Sequence, residues 1–226
     1  MIETIARTLS VKSIRTEKPE GFKFKAGQFA KIKINGDSKY LSISSSPLRN
    51  YLEFTKRDTQ SNFSRKFFNI KADEKVVIEG PFGNFFLQDN ENKIAFIVGG
   101  IGITPVFSIL EDAFLKLETR DFSLFYGNKF LDDIPFQKEL SFFQSQLNLK
   151  IFYFIEDLAN TPDDKQIFCG ILDFNKIRIC LTDINERKIY VCGPPSMVDT
   201  IISQIKIIGT IENVKTEKIF GYTKGA

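Results

Sequence analysis

The stretch KIAFIVGGIGITP, from Lys93 to Pro105, decides the fold of the chain. Its apolar run Ile94–Val98 is typical of a buried strand. The glycines that follow allow a sharp turn, and Thr104 and Pro105 suit the cap and the first position of a helix. Backbone N–H groups at such a helix start can bind a pyrophosphate. The stretch predicts a nucleotide-binding turn, although glycines at such turns also serve packing alone. The turn glycines are Gly99, Gly100 and Gly102.

A second turn has the same construction. The apolar run KIYVC, from Lys188 to Cys192, is broken by Gly193, Pro194 and Pro195. An apolar helical face follows, which we assign to the core. Cys192 ends its strand where the carboxyl edge of a parallel sheet holds ligands. A cysteine in a strand is also often a small buried apolar residue, so both interpretations stay open.

Strands and helices alternate from Lys93 onward, which predicts a doubly wound parallel α/β sheet over residues 93–226. The first 90 residues instead show short alternating runs separated by glycine or Asn/Asp turns, which predicts a small antiparallel β-barrel over residues 1–90. The polar run 88–92 is the expected linker. The predicted strands are Phe22–Phe24, Phe29–Ile34, Tyr51–Thr55, Lys75–Glu79, Ile94–Val98, Phe122–Tyr126, Lys150–Ile155 and Ile189–Cys192, and the predicted helices are Asn62–Phe68 and three that start near Thr104, Phe136 and Ser196.

Composition excludes several kinds of chemistry. Histidine is absent, which excludes histidine-ligated haem, histidine-based metal sites and Ser–His or Cys–His nucleophiles. The three cysteines show no C-x-x-C spacing, so we expect no iron–sulfur cluster and no metal site. Few cysteines and no signal peptide suggest the cytoplasm. The net charge of +3 implies no nucleic-acid partner. The uncharged run Ile94–Leu110 is explained by a strand and a helix, so we expect no membrane span.

The motifs, taken in order, resemble those of the ferredoxin–NADP reductase superfamily, which comprises flavin- and nicotinamide-dependent electron-transfer enzymes. In that family a GG-x-G-ITP turn and a CGPP-x-M turn hold the nicotinamide nucleotide, and an upstream domain binds flavin. The resemblance runs from roughly residue 5 to residue 222. It implies a flavin-binding barrel followed by an NAD(P)-binding domain. The other matching motifs are KAGQF at Lys25–Phe29, KYLSISSSP at Lys39–Pro47, GPFGNF at Gly80–Phe85 and TEKIFGY at Thr216–Tyr222.

The resemblance assigns a flavin site to the N-terminal domain, with FAD expected and FMN as the alternative. Ser42 falls on the serine that contacts flavin N5. Two positions depart from the family: Leu41 replaces the tyrosine that packs on the flavin ring, and Lys39 replaces a phosphate-binding arginine. Tyr40 faces the other side of a strand, so it cannot replace the missing ring. The helix start at Asn62–Ser64 is expected to hold the flavin pyrophosphate. Further candidate cofactor-binding residues are Tyr40, Leu41, Ile43, Ser44, Thr55, Arg57, Asn62 and Ser64.

The resemblance also assigns a nicotinamide site to the two glycine turns. Thr104 and Cys192 correspond to residues that flank the nicotinamide, where Cys192 supplies shape beside C4 and is no nucleophile. Glu217 corresponds to an acid that can relay protons to the reduced flavin. Lys129 can pair with a 2′-phosphate, which favours NADPH slightly over NADH. The nucleotide-binding candidates are Gly99, Gly100, Gly102, Thr104, Cys192, Gly193 and Pro194, and the flavin-shielding aromatic is Phe220 or Tyr222.

Three functions follow from this resemblance. The leading one is an FAD-dependent oxidoreductase that takes a hydride from NAD(P)H and passes electrons to a separate acceptor, such as a ferredoxin or flavodoxin. A basic surplus in the first 92 residues is either ordinary surface or a face for an acidic carrier. The second is an NAD(P)H:flavin reductase that uses diffusible flavin, which Lys39 and Leu41 favour. The third is a non-catalytic electron-relay subunit. The sequence gives no indication of the oligomeric state.

Overall fold

A computed structural model describes residues 3–72, 74–157, 166–208 and 214–220. The chain forms two compact units. Unit 1 comprises the chain up to Leu87 together with Thr104–Lys116. Unit 2 comprises Gln88–Ile103 and Leu117–Phe220. Residues 104–116 group with unit 1, although they are distant in sequence from the rest of that unit.

Unit 1 contains two three-stranded antiparallel sheets, in the orders β1-β2-β5 and β4-β3-β6. A bridge between Ile43 and Phe54 links the end of β4 to β5. Apolar side chains of both sheets and of helix α1 form one core, which confirms the predicted antiparallel barrel-like unit. The elements are β1 (Glu3–Ala6), β2 (Val11–Glu17), β3 (Phe29–Ile34), β4 (Asp37–Ser42), β5 (Tyr51–Arg57), α1 (Asn62–Phe68) and β6 (Val76–Phe82).

Two predictions for unit 1 need correction. Phe22–Phe24 is no strand, because this segment is irregular chain that buries Phe24 in the core. Strands β1 and β2 were not predicted. Their alternation was hidden because two buried positions of β2 are polar, Ser13 and Thr16. The Ser13 hydroxyl bonds to Thr55 Oγ1 at 2.7 Å, so this polar group is satisfied inside the unit.

Unit 2 is a six-stranded parallel sheet in the order β10-β9-β8-β7-β11-β12. The predicted doubly wound α/β architecture is confirmed. The sheet grows from β7 in one direction through β8, β9 and β10, and in the other through β11 and β12. Ligands of such sheets bind at the carboxyl ends of the strands where this direction switches, which here lies between β7 and β11. The strands are β7 (Lys93–Gly99), β8 (Asp121–Asn128), β9 (Leu149–Ile155), β10 (Ile167–Cys169), β11 (Lys188–Gly193) and β12 (Val214–Lys218).

Four helices follow strands of this sheet: α2 (Ile103–Leu115), α3 (Gln137–Gln146), α4 (Phe174–Cys180) and α5 (Pro195–Ile208). Helix α2 begins at Ile103 because a 3₁₀ turn, Gly100–Gly102, runs directly into it. Thr104 and Pro105 therefore lie within its first turn, and Thr104 is no N-cap. Phe136 is the residue before α3 and has a left-handed φ of 62°. Strand β10 and helix α4 were not predicted.

Arg187 joins several elements at the opposite, amino end of the sheet. Its side chain is only 2% exposed. The guanidinium makes two bonds to the Asp121 carboxylate at 3.0 and 2.8 Å and two to Asp183 at 2.9 and 3.0 Å. It also donates to the carbonyl oxygen of Asp121 at 3.2 Å. This buried cation therefore ties the start of β8 to the turn that precedes β11.

In the described parts of the chain, every helix is too short or too polar to cross a lipid bilayer.

Candidate functional site

The two glycine turns meet at the switch point of the sheet in unit 2. A Cβ atom on Gly102 would lie 2.5 Å from the carbonyl oxygen of Cys192, and one on Gly193 would lie 3.0 Å from the backbone N of Gly99. Such approaches are open only to glycine. Gly100 has a left-handed φ of 51°, and its carbonyl oxygen accepts a 3.0 Å bond from Tyr126 Oη. The main chains of the two turns therefore approach each other closely at this edge of the sheet, and the Met197 side chain packs against Gly99 and Gly193.

Cys192 lies at the carboxyl end of β11 and is fully buried. It pairs with Val98 of β7 on one side and with Glu217 of β12 on the other. Burial, and secondarily the charge of Glu217, raise the pKa of the Cys192 thiol well above its usual value. A neutral thiol is a poor nucleophile. Its chemistry agrees with a residue that supplies shape.

Other predicted residues lie near these turns or away from them. Pro194 contacts the turn, because a Cβ on Gly99 would come within 3.0 Å of its Cδ. The backbone N of Ile219 donates to the Gly193 carbonyl oxygen at 2.9 Å, which brings the end of β12 to the same turn. Phe220 follows it and is 71% exposed. Thr104 is buried and groups with unit 1. Tyr222 lies outside the described residues.

The end of β8 adds a residue that the sequence analysis missed. Asn128 is buried, and within the described parts of the chain neither its amide nitrogen nor its amide oxygen has a hydrogen-bond partner. An orphaned buried amide is costly, so it indicates a ligand group or water at this edge. The motif Tyr126-Gly127-Asn128-Lys129 contained this signal, but only Lys129 was considered. The Lys129 ammonium is exposed and lies 5.2 Å from the Phe130 ring centroid.

In unit 1, the strand β4 presents its predicted flavin residues on two faces. Tyr40 is 60% exposed, and its ring centroid lies 5.8 Å from that of Phe29 and 6.0 Å from that of Phe82. Leu41 packs partly against the apolar core, and Ser42 is buried. The rings of Tyr40, Phe29 and Phe82 therefore form a cluster apart from Leu41.

Several predicted flavin side chains are engaged inside unit 1. Ser44 Oγ and Thr55 Oγ1 bond to each other at 2.8 Å and are buried, and Ile43 belongs to the core. Arg57 donates to Ser10 Oγ at 2.7 Å. Asn62 is exposed, and its side-chain oxygen accepts a 3.4 Å bond from Arg65.

Ser64 lies beside a buried cation that the sequence analysis also missed. Lys56 Nζ donates to Ser64 Oγ at 2.6 Å. Burial, and secondarily the charge of Lys39, lower the pKa of Lys56 to about 8. Lys39 itself is exposed on β4. Two lysines thus lie in the region of the Ser64 hydroxyl, and the positive charge of this part of unit 1 suits a phosphate group.

The resemblance implies that the Cys192 thiol supplies shape beside the nicotinamide, so we expect Cys192→Ser to slow flavin reduction by NAD(P)H several-fold while the protein stays folded. Stopped-flow absorbance at the flavin band measures this rate, and circular dichroism measures the fold. Cys180→Ser, in helix α4, is the matched control and should keep the wild-type rate. An unchanged rate in Cys192→Ser would make Cys192 an ordinary core residue.

Comparisons with known proteins agree with this geometry. Residues 96–202 match the family described as "Oxidoreductase NAD-binding domain". The propane 2-monooxygenase reductase component of Rhodococcus jostii is 24% identical over 219 residues, which are 92% of this chain and 59% of that protein. Sulfhydrogenase 2 subunit gamma of Pyrococcus furiosus is 26% identical over 215 residues, which are 88% of this chain and 73% of that protein.

The fold recurs in solved structures. A ferredoxin NADP+ reductase from Neisseria gonorrhoeae with bound FAD and NADP has a TM-score of 0.84 and 18% identity, and the match covers 97% of this chain and 96% of that one. The ferredoxin reductase in carbazole 1,9a-dioxygenase has a TM-score of 0.82 and 21% identity, with 97% of this chain and 68% of that one covered. The two-domain fold is therefore shared along almost the whole chain.

Proposed function

We propose that this chain is a member of the ferredoxin–NADP reductase superfamily and a flavin-dependent oxidoreductase that takes a hydride from NAD(P)H and passes electrons to a separate acceptor protein. One observation carries the proposal. The glycine turns after β7 and β11 meet so closely at the switch point of the parallel sheet that a Cβ on Gly102 would lie 2.5 Å from the carbonyl oxygen of Cys192. That is where an open α/β sheet binds a nucleotide. We propose residues 1–90 as the flavin-binding domain and 93–226 as the NAD(P)-binding domain.

A bound flavin supplies hydride uptake from a nicotinamide and release of single electrons. The chain's own residues bind and orient. In unit 1, Lys39 and the start of helix α1, which carries Ser64, are proposed to hold the flavin phosphate, and Ser42 is proposed to donate to the ring. In unit 2, the two turns are proposed to hold the nicotinamide nucleotide, with Cys192 excluding water beside it. Glu217 is proposed to relay protons.

The donor and the flavin are proposed as NADPH and FAD. Lys129 at the end of β8 is an exposed cation suited to a 2′-phosphate, and the orphaned amide of Asn128 beside it offers both a donor and an acceptor. FAD is preferred because a solved relative of the same fold contains FAD and NADP. NADH and FMN are the alternatives that the assay below tests.

The acceptor is proposed to be a ferredoxin- or flavodoxin-type protein. Several relatives are named as parts of larger systems, such as the phenol hydroxylase P5 protein of Acinetobacter pittii, 28% identical over 231 residues. The chain spans 64% of that protein and 59% of the propane 2-monooxygenase component. The partners of those longer proteins therefore do not identify the electron acceptor of this chain. A cytoplasmic location is proposed, since Cys169, Cys180 and Cys192 are free thiols and reducing compartments keep them so.

A second function, reduction of diffusible flavin, is favoured by one observation. Leu41 is partly packed against the core, and the nearby ring of Tyr40 is directed to Phe29 and Phe82. Leu41 has no aromatic surface to hold a flavin ring, and the Tyr40 ring belongs to a separate cluster with Phe29 and Phe82. The third function, a non-catalytic subunit, is supported only by relatives named as subunits.

We expect the purified protein to be yellow and to release FAD on heating, which liquid chromatography identifies. It should reduce ferricyanide with NADPH faster than with NADH in a diaphorase assay. A colourless protein that oxidises NAD(P)H only with added flavin would support the second function. A protein that binds neither cofactor after reconstitution would contradict the proposal and favour the third.

A further inference from the structure

Lys56 is the starting point, because its ammonium is buried and surrounded by uncharged oxygen atoms. The residue is 6% exposed. Nζ donates to the carbonyl oxygen of Arg57 at 2.7 Å, to Thr59 Oγ1 at 3.1 Å and to Ser64 Oγ at 2.6 Å. Within the described residues no carboxylate forms an ion pair with it. Buried charges are normally paired, so this ammonium needs an anion that the chain does not supply.

The ammonium also fixes the direction of a row of hydroxyl groups. Ser64 Oγ accepts from Lys56 Nζ and from the backbone N of Thr59 at 3.0 Å, which uses both of its lone pairs. Its hydrogen must then be donated, and Thr59 Oγ1 lies 3.0 Å away. Thr59 Oγ1, which already accepts from Lys56, passes its own hydrogen to Ser61 Oγ at 3.1 Å.

Ser61 is the outer end of this row. Its Oγ also accepts from the backbone N of Ser64 at 3.2 Å, so both of its lone pairs are used as well. Ser61 is exposed, and its hydrogen therefore points away from the row toward solvent. The row Ser64–Thr59–Ser61 thus ends in a hydrogen-bond donor, and it does so because Lys56 occupies the inner acceptor sites.

The charges around Lys56 have the sign that an anion requires. Lys39 on the neighbouring strand β4 and Asp58 on the following turn are the charged groups that act on it, and Arg57 points to Ser10 instead. One acid against two lysines leaves this region positive. Phosphate monoesters and diesters are the biological anions that hydroxyl donors and lysines bind together.

We propose that Lys56 is a positioning residue for the phosphate of the bound flavin nucleotide, acting by orienting the Ser64–Thr59–Ser61 row so that the Ser61 hydroxyl donates to that phosphate. The inference rests on the proposed function, since it assumes that unit 1 binds a flavin nucleotide. It adds a residue that the motif resemblance does not assign. Lys56 acts through the hydroxyls and supplies charge, while Ser61 and Lys39 are the groups placed to touch the anion.

This role makes phosphate binding sensitive to pH. Burial lowers the pKa of Lys56 to about 8, so the ammonium loses its proton as the pH rises through that value in the free protein. The neutral amine no longer supplies the charge. Affinity for a phosphorylated flavin should therefore fall between about pH 7 and about pH 9, whereas affinity for riboflavin, which has no phosphate, should stay level.

The test compares riboflavin, FMN and FAD binding, by flavin fluorescence, to the wild type and to Lys56→Met, Lys56→Arg and Lys66→Met. Lys66 is the matched control, because it lies on helix α1, which carries Ser64, but its ammonium pairs with Asp37 at 2.8 Å. Lys56→Met should weaken FMN about 10- to 100-fold at about pH 7 and leave riboflavin unchanged. Lys56→Arg stays charged at every pH used, so its FMN affinity should not fall between about pH 7 and about pH 9.

The outcomes separate this inference from the proposed function. A wild type that binds none of the three flavins would overturn both. A wild type that binds FAD or FMN, with equal affinity ratios of FMN to riboflavin in the wild type and Lys56→Met, would overturn the inference alone. If Lys56→Met does not fold, the test rests on Lys56→Arg. If the FMN affinity of Lys56→Arg falls with rising pH as much as that of the wild type, a group other than Lys56 titrates and the inference is wrong.

Discussion

Replacing Gly102 with alanine should abolish productive binding of the nicotinamide nucleotide. The added Cβ would lie 2.5 Å from the carbonyl oxygen of Cys192, 2.7 Å from its carbonyl carbon and 2.8 Å from the Cα of Gly193. All three atoms belong to the main chain, so one of the two turns must move. Displacements near 1 Å cost roughly 100-fold in rate. We expect flavin reduction by NAD(P)H, measured by stopped flow, to slow by at least about that factor.

Gly36→Ala is the control for this experiment. Gly36 has a φ of 91° and open space around its Cα, so alanine there strains the β3–β4 turn without touching the nucleotide site. It should lower the stability of unit 1 by about 1–2 kcal/mol and leave nucleotide affinity intact. If Gly102→Ala reduced its flavin at the wild-type rate, the contact between the turns would have no part in nucleotide binding.

Among the substitutions described, Arg187→Met should lower the free energy of unfolding the most. The guanidinium is almost fully buried and makes paired hydrogen bonds to Asp121 and Asp183. Its removal leaves both carboxylates without their main partner at the amino end of the sheet. Breaking a buried ion pair in this way costs about 3–5 kcal/mol. The chain contains no tryptophan, so fluorescence of that residue cannot report unfolding. Chemical denaturation followed by far-ultraviolet circular dichroism measures the change in the free energy of unfolding.

Lys93→Met provides the comparison. Lys93 pairs with Asp183 at 3.3 Å and with Glu186 at 2.6 Å, but its side chain is 42% exposed. Exposed ion pairs contribute at most about 1 kcal/mol, so this change should be nearly neutral. If Arg187→Met and Lys93→Met lowered the free energy of unfolding by similar amounts, the buried ion pairs of Arg187 would contribute no more to stability than an exposed ion pair.

The sequence predicted the parts of the fold in which local pattern and tertiary environment agree. The runs that became β7 and β11 are apolar on both faces because helices cover both sides of a parallel sheet. Strand β2 escaped prediction because Ser13 and Thr16 occupy buried positions, where Ser13 is satisfied by Thr55 from another strand. Phe22–Phe24 shows the opposite error, since aromatic residues can fill a core from irregular chain.

The residues of the candidate site likewise fall into those that a local motif predicts and those that it does not. Glycine spacing located both turns, because the need for glycine can be seen in a local motif. Lys56 and Asn128 were missed because a lysine or an asparagine is ordinary in sequence. Their interest comes from burial and from the partners that they have or lack, which depend on strands far away in the chain. The predicted roles of Ser42, Lys39 and Glu217 stay predictions.

The position of β7 at the centre of its sheet has a consequence for the order of events during synthesis. This strand pairs with β8, which follows it closely, and with β11, which comes near the end of unit 2. Contacts between segments so distant in sequence form late, because the chain must close a long loop first. A nascent chain can therefore complete the strands and helix α2 of unit 1 while the sheet of unit 2 still lacks β11 beside β7. Until the ribosome releases β11, the glycines after β7 have no partner turn to meet.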